Sequence, residues 1–200
     1  MPRLRVPWSL PVHRGQPPPA WQPRRGLRGW PRLLAPRRGH VRRWPWLQWQ
    51  PSDHPDHLAG IRAWRDDAGL ANLQPPFALQ AALPPAPPLA VPAGTARFDA
   101  AFSANTLHIM GWDHVQALFA GLPALLEGGA LLAVYGPFNY GGRYSSDSNA
   151  QFDGWLKARD PRSGIRDAEA VQALAADNGF TRLGDLAMPA NNRVLLWRLG

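Results

Sequence analysis

The chain of 200 residues has no cysteine. Disulfides and thiolate metal ligands are therefore excluded, and the composition fits a reducing compartment, so a cytoplasmic protein is expected. Lysine is nearly absent, with Lys157 standing alone. No apolar run reaches the roughly 18 residues that a membrane span requires. Prolines interrupt every apolar stretch near the N-terminus that would serve a secretory leader, so no membrane association is expected. Acids are missing altogether from residues 1–52, which hold eleven arginines. The formal net charge of +8 belongs to that quarter alone, because residues 53–200 carry ten Arg and one Lys against fourteen Asp and Glu.

The N-terminal quarter also concentrates eleven of the 23 prolines and six of the ten tryptophans. Residues 1–45 show neither a helical nor a strand period. Proline removes backbone donors and breaks helices. A division at residue 45 follows, with a disordered or irregular basic segment before it and an α/β domain over residues 46–200. Arginines that neutralise phosphates and tryptophans that stack on bases would allow the segment to bind nucleic acid. Non-specific charge explains the same residues more simply, and nucleic acid is not the expected partner.

From Trp46 the pattern alternates between strand and helix. Residues 46–50 read as a short strand and 54–69 as a helix closed by Gly69. Residues 76–83 read as a strand, and 98–109 as a strand with its C-terminal loop. A helix over 112–129 precedes an apolar strand at 130–138 of the kind buried on both faces of a parallel sheet. Helices at 151–160 and 166–179 are followed by two strands able to form an antiparallel hairpin. This order predicts a Rossmann-like doubly wound sheet with a C-terminal antiparallel hairpin, although several nucleotide-binding folds alternate in this way.

The stretches WLQWQPSD, FDAAFSANTLHIMGW, GLPALLEGGALLAVYGPFNYGGRYSSDSNAQFDGWLKARDPRSGIRD and MPANNRVLLWR are specific. Over about residues 46–198 they resemble the domain-of-unknown-function 938 family, also called methyltransferase-like 26, within the class I S-adenosylmethionine (SAM) methyltransferases. The resemblance implies SAM as cofactor and a small-molecule methyl acceptor. An inactive family member acting as a scaffold is the alternative.

The resemblance also distributes roles. Asp53, after the second strand, would accept hydrogen bonds from the ribose hydroxyls; read by itself it is a helix N-cap. Gln80 stands at the strand end that would meet the adenine amino group, where the family more often has Asp. It supplies an acceptor without charge. Asn105 would face the cofactor, and His108 is a weak catalytic candidate. Tyr135, Phe138, Asn139, Asn149, Phe152 and Arg159 are candidates for a substrate pocket. Asn191 and Asn192 suit a tight turn better than substrate contact. His54 and His57 lack a third ligand at metal-binding spacing, so no metal is expected.

One expected element is not legible. In a class I methyltransferase, a first strand and a glycine-rich turn should precede residue 46. The interval RGLRGWPRLLAPRRGHVRRWP has glycines only at 26, 29 and 39 and no apolar strand before them. Three explanations stay open: a genuine basic extension, a degraded relative, and translation in a shifted reading frame. The third best fits an excess of Arg, Pro, Gly, Ala and Trp, all with GC-rich codons. In the shifted frame Trp30–Pro31 must decode as glycine, and Gly39–Arg43 can decode as Ala-Thr-Phe-Ala-Ala.

Overall fold

A computed structural model describes residues 48–200 except Val91 and Ala96, together with the two-residue strand Val12–His13. The rest of the expected irregular segment, and any first strand or glycine turn within it, lies outside the described residues.

Among the described residues the main sheet has five strands, in the order β1-β6-β7-β11-β10. These are β1 (Val12–His13), β6 (Phe98–Ala104), β7 (Leu126–Gly136), β11 (Asn192–Leu199) and β10 (Phe180–Met188). β6 and β7 run parallel, with Ala100 opposite Leu131 and Ala104 opposite Tyr135. β11 runs antiparallel to both β7 and β10, forming the expected C-terminal hairpin. Val12–His13 pairs antiparallel with Ala100 and Ala101. Beside this sheet, β2 (Ser52–Asp53) and β3 (Phe77–Ala78) form a separate parallel ribbon, while β4 (Gln80–Ala81) and β5 (Leu89–Ala90) form an antiparallel one. β8 (Phe138–Asn139) pairs in parallel with β9 (Arg166–Asp167).

Among the described residues there are four α-helices: α1 (Leu58–Ala68), α2 (Trp112–Leu125), α3 (Asp147–Arg159) and α4 (Ala168–Asp177). The core joins α2 and α4 to the sheet. Val115, Phe119 and Leu122 of α2 meet Val171 and Ala175 of α4 and Leu132, Val134 and Trp197 of the strands, all buried. Phe119 packs edge-on against Phe180 and Trp197, with centroids 6.4 and 6.1 Å apart. The Trp197 indole N–H avoids an unpaired buried donor by donating to Gln172 Oε1 of α4 at 2.9 Å.

Element types agree well with the sequence patterns, and boundaries move for identifiable reasons. The predicted strand 46–50 becomes a bridge between Trp49 and Leu73, and regular pairing starts only at Ser52, beyond Pro51. The predicted helix 54–69 opens as a 3-10 turn over Pro55–His57, and Gly69 ends it at φ 58° as expected. The predicted strand 76–83 splits into β3 and β4, which pair with different partners. α2 stops at Leu125, not Gly129; Glu127, Gly128 and Gly129 belong to β7. α3 begins at Asp147 rather than residue 151, because the Ser146 hydroxyl accepts the Asn149 amide at 3.1 Å.

Candidate functional site

The carboxyl ends of β2 and β6 open on one cavity of about 380 Å³, a size suited to a small organic ligand. Its polar end is built by Asp53, His54, Asp56 and His57. Asp53 ends β2 with its carboxylate buried. Its Oδ1 accepts the His54 amide at 2.6 Å and lies 2.9 Å from His57 Nδ1. Pro55 opens the 3-10 turn, whose first free amide, on Asp56, is capped by His54 Nδ1 at 3.4 Å. The segment thus fixes Asp53 through local bonds before any ligand arrives.

The floor is apolar. Leu79, Leu89 and Leu118 line one side, and Ile109 and Met110 from the 3-10 turn after β6 line the other. Gly121 lets the β4–β5 ribbon rest on α2, since a Cβ there would stand 2.4 Å from Leu89 Cγ. Arg166 holds the loop after β6 by donating to the carbonyls of Leu107, Met110 and Arg162. His114, Asp160 and Arg162 form the rim. The Asp160 carboxylate is held below its usual range chiefly by the Arg162 amide, which donates to it at 2.9 Å.

Of the residues singled out from sequence, Asp53 and Gln80 line this cavity, Gln80 with its side chain exposed. Asn105 does not line it, although its neighbour Thr106 does. Asn105 adopts φ 56°, and its amide donates to the Tyr135 carbonyl at 2.8 Å. His108 packs elsewhere: its ring meets Phe152 edge-on at 5.3 Å, and burial, reinforced by the Arg166 charge, lowers its pKa to about 4. The proposed substrate set does not line the cavity. Phe138 is in the core, Tyr135 lies half-buried beside Asn192, and Asn139 pairs through its backbone with Asp167. Phe152 stacks on Trp155, over whose ring Arg159 sits at 4.6 Å. Asn149 reaches the Ser145 hydroxyl and the Asn191 carbonyl, and Asn191 reaches the Ser148 hydroxyl. Ala190 and Asn191 take φ 58° and 56° in the hairpin turn, which these bonds lock to the start of α3.

Sequence reasoning missed Arg166 and Asp153. Asp153 is 1% exposed and accepts from Lys157 Nζ at 2.6 Å, the Tyr144 hydroxyl at 2.7 Å and the Ile165 amide at 2.6 Å. Burial alone would raise its pKa; these donors outweigh burial and lower it. The Lys157 spacing at i+4 was a usable signal for Asp153. Nothing local marks Arg166, whose loop acceptors at Leu107 and Met110 lie 59 and 56 residues earlier.

A parallel pair continued by an antiparallel C-terminal hairpin, with a cavity at the carboxyl strand ends, defines the Rossmann-like methyltransferase fold. Solved structures agree. An O-methyltransferase family 2 protein from Planctomyces limnophilus, solved with apigenin, superposes with a TM-score of 0.67 at 13% identity, covering 82% of this chain and 47% of that one. An O-methyltransferase family protein from Burkholderia thailandensis gives 0.64 at 13% identity, covering 82% and 47%. The SAM-dependent methyltransferase SibL gives 0.62 at 22% identity, covering 81% and 46%. The chain spans about half the length of these proteins. Residues 40–199 match the family described as protein of unknown function (DUF938), and the chain belongs to that family.

Proposed function

We propose that the cavity binds the nucleoside part of SAM and that the protein is a methyltransferase acting on a small-molecule acceptor in the cytoplasm. The observation carrying this reading is Asp53: a buried carboxylate at the carboxyl end of a parallel strand, fixed by its neighbours and belonging to the lining of a cavity with an apolar floor. The site's donor and acceptor set fits the group. Asp53 would accept from the ribose, Leu79, Leu89 and Leu118 would cover the adenine faces, and Gln80 would accept from the adenine amino group. Asn105 would border the sulfonium end. The sulfonium supplies an electrophilic methyl group, so the chain's own residues need only orient the acceptor and exclude water.

The loop after β6 does much of that orienting. Arg166 fixes its carbonyls, and Ile109 and Met110 give the cavity an apolar wall there. The neutral ring of His108 lies behind this wall. No glycine-rich turn is legible among residues 1–45, so we further propose that cofactor affinity is reduced. Calorimetry on the full chain with S-adenosylhomocysteine tests both points. The expected Kd lies in the range of about 10 μM to 1 mM, and Asp53→Asn weakens it at least tenfold. Submicromolar binding overturns the reduced affinity; no binding at millimolar ligand overturns the cofactor assignment.

A further inference from the structure

We propose that β10 is the interface of a homodimer, in which the edge strands of two copies of this chain pair antiparallel about a two-fold axis between Leu183 and Gly184. The proposal is independent of the cofactor reading, since no residue of β10 lines the cavity.

β10 ends the main sheet, and among the described residues β11 alone pairs with it. An edge strand offers a row of unpaired N–H and C=O groups. Folded chains guard such edges with lysine, with proline or with a bulge that turns the edge away. The nine residues of β10, FTRLGDLAM, hold no lysine and no proline. Thr181, Arg182 and Leu183 are exposed, Leu183 at 50%. The strand does carry a bulge, but here the bulge makes the edge complementary to itself.

Arg182 stands opposite Trp197 and Gly184 opposite Leu196, so Leu183 is one residue extra. Asp185 stands opposite Leu195. Trp197 and Leu195 alternate onto the same sheet face, so Arg182 and Asp185 share that face too. Without the extra residue the two charges would point to opposite faces. Pairing about the axis between Leu183 and Gly184 therefore sets Arg182 of each copy against Asp185 of the other, on one face and twice over. In the same register Thr181 meets Leu186, Phe180 meets Ala187, and the exposed Leu183 is covered at the axis. A two-fold contact demands this kind of self-complementarity.

Asp185 is prepared for a further donor. Its carboxylate accepts Arg193 Nε at 2.7 Å and the Tyr140 hydroxyl at 2.9 Å, which fix it and still leave lone pairs open. Arg182 of the same chain lies 3.7 Å away, too far for a hydrogen bond, so its guanidinium keeps donors for a second copy.

Sedimentation equilibrium of the full chain from about 1 to 100 μM tests the proposal, with circular dichroism as a check on folding. The wild type should dimerise within that range. Arg182→Glu should raise the dimer Kd about tenfold or more, because like charges then face each other twice. The Arg182 side chain is 56% exposed, so this substitution leaves the core intact. The chain has no cysteine, so one introduced at the axis reports on its own surroundings alone. A short bismaleimide should crosslink Leu183→Cys into a dimer and leave Glu127→Cys, on β7, uncrosslinked. A wild type that stays monomeric at about 100 μM overturns the proposal. A dimer that keeps its strength in Arg182→Glu, or that Leu183→Cys does not crosslink, forms through another surface or register and overturns it as well.

Discussion

Protonation of His108 should cost this fold stability in a defined window of acid pH. The ring is 6% exposed, packed against the edge of Phe152, with Nδ1 only 3.6 Å from the position a Cβ would take on Gly136. Burial, and behind it the Arg166 charge, lowers the pKa from 6.5 to about 4. The unfolded chain therefore binds a proton between these values and the folded chain does not. Stability rises with pH across that window and falls as pH drops below 6.5. Two and a half pKa units correspond to about 3 kcal/mol at full expression. Between pH 7 and pH 5 the loss attributable to this one group is about 2 kcal/mol. Urea unfolding of wild type and His108→Gln at both pH values isolates it, because carboxylate titrations are common to both proteins. The variant starts less stable at pH 7, and the gap should close by about 2 kcal/mol at pH 5. A gap that stays constant would refute the claim that the folded site rejects the proton.

Three further perturbations have calculable signs. Asp153→Asn removes the charge that accepts from Lys157, Tyr144 and the Ile165 amide and should destabilise the fold by about 3 kcal/mol in chemical denaturation at pH 7. The depressed Asp153 pKa contributes stability that is present at neutral pH and lost in acid, so the gap narrows there. Gly121→Ala places a methyl 2.4 Å from Leu89 Cγ; the overpacking cost of about 1–3 kcal/mol outweighs the gain in helix propensity of about 1 kcal/mol, so Tm falls. Ala190→Gly relieves a residue held at φ 58° and should raise stability by about 0.5 kcal/mol in the same unfolding assay.

The fold was legible where sequence period and stop signals agree. β6, α4 and the β10–β11 hairpin carry alternating or helical apolar positions bounded by glycine or asparagine, and each lies within a few residues of expectation. Errors arise where tertiary contacts override local pattern. Glu127, Gly128 and Gly129 read as a helix stop, yet β7 extends back to Leu126. Residues 76–83 look like one strand, but β3 pairs with β2 while β4 turns to meet β5. No local periodicity encodes a change of partner. The start of α3 was missed for a different reason: a serine N-cap in a serine-rich loop gives several equivalent starting points, and the Asn149 amide chooses Ser146.

The site divides in the same way. Asp53 was legible because a carboxylate after a short strand and before a proline-led turn has few uses, and ligand binding and helix capping both place it at a strand end. In the fold it lines the cavity and accepts the His54 amide, while the cap of the following 3-10 turn is His54 rather than Asp53. The polar and aromatic set after β7 lies outside the cavity lining, and the same side chains that suit a substrate also suit a scaffold. Asn149 spends its amide on Ser145 and the Asn191 carbonyl, and Phe152 bridges His108 to Trp155. These residues hold α3 and the hairpin turn in place. Cavity-lining residues such as Leu89, Leu118 and Met110 look like ordinary core in sequence. Their role depends on Gly121 and Arg166 bringing distant segments together, and that proximity exists only in three dimensions.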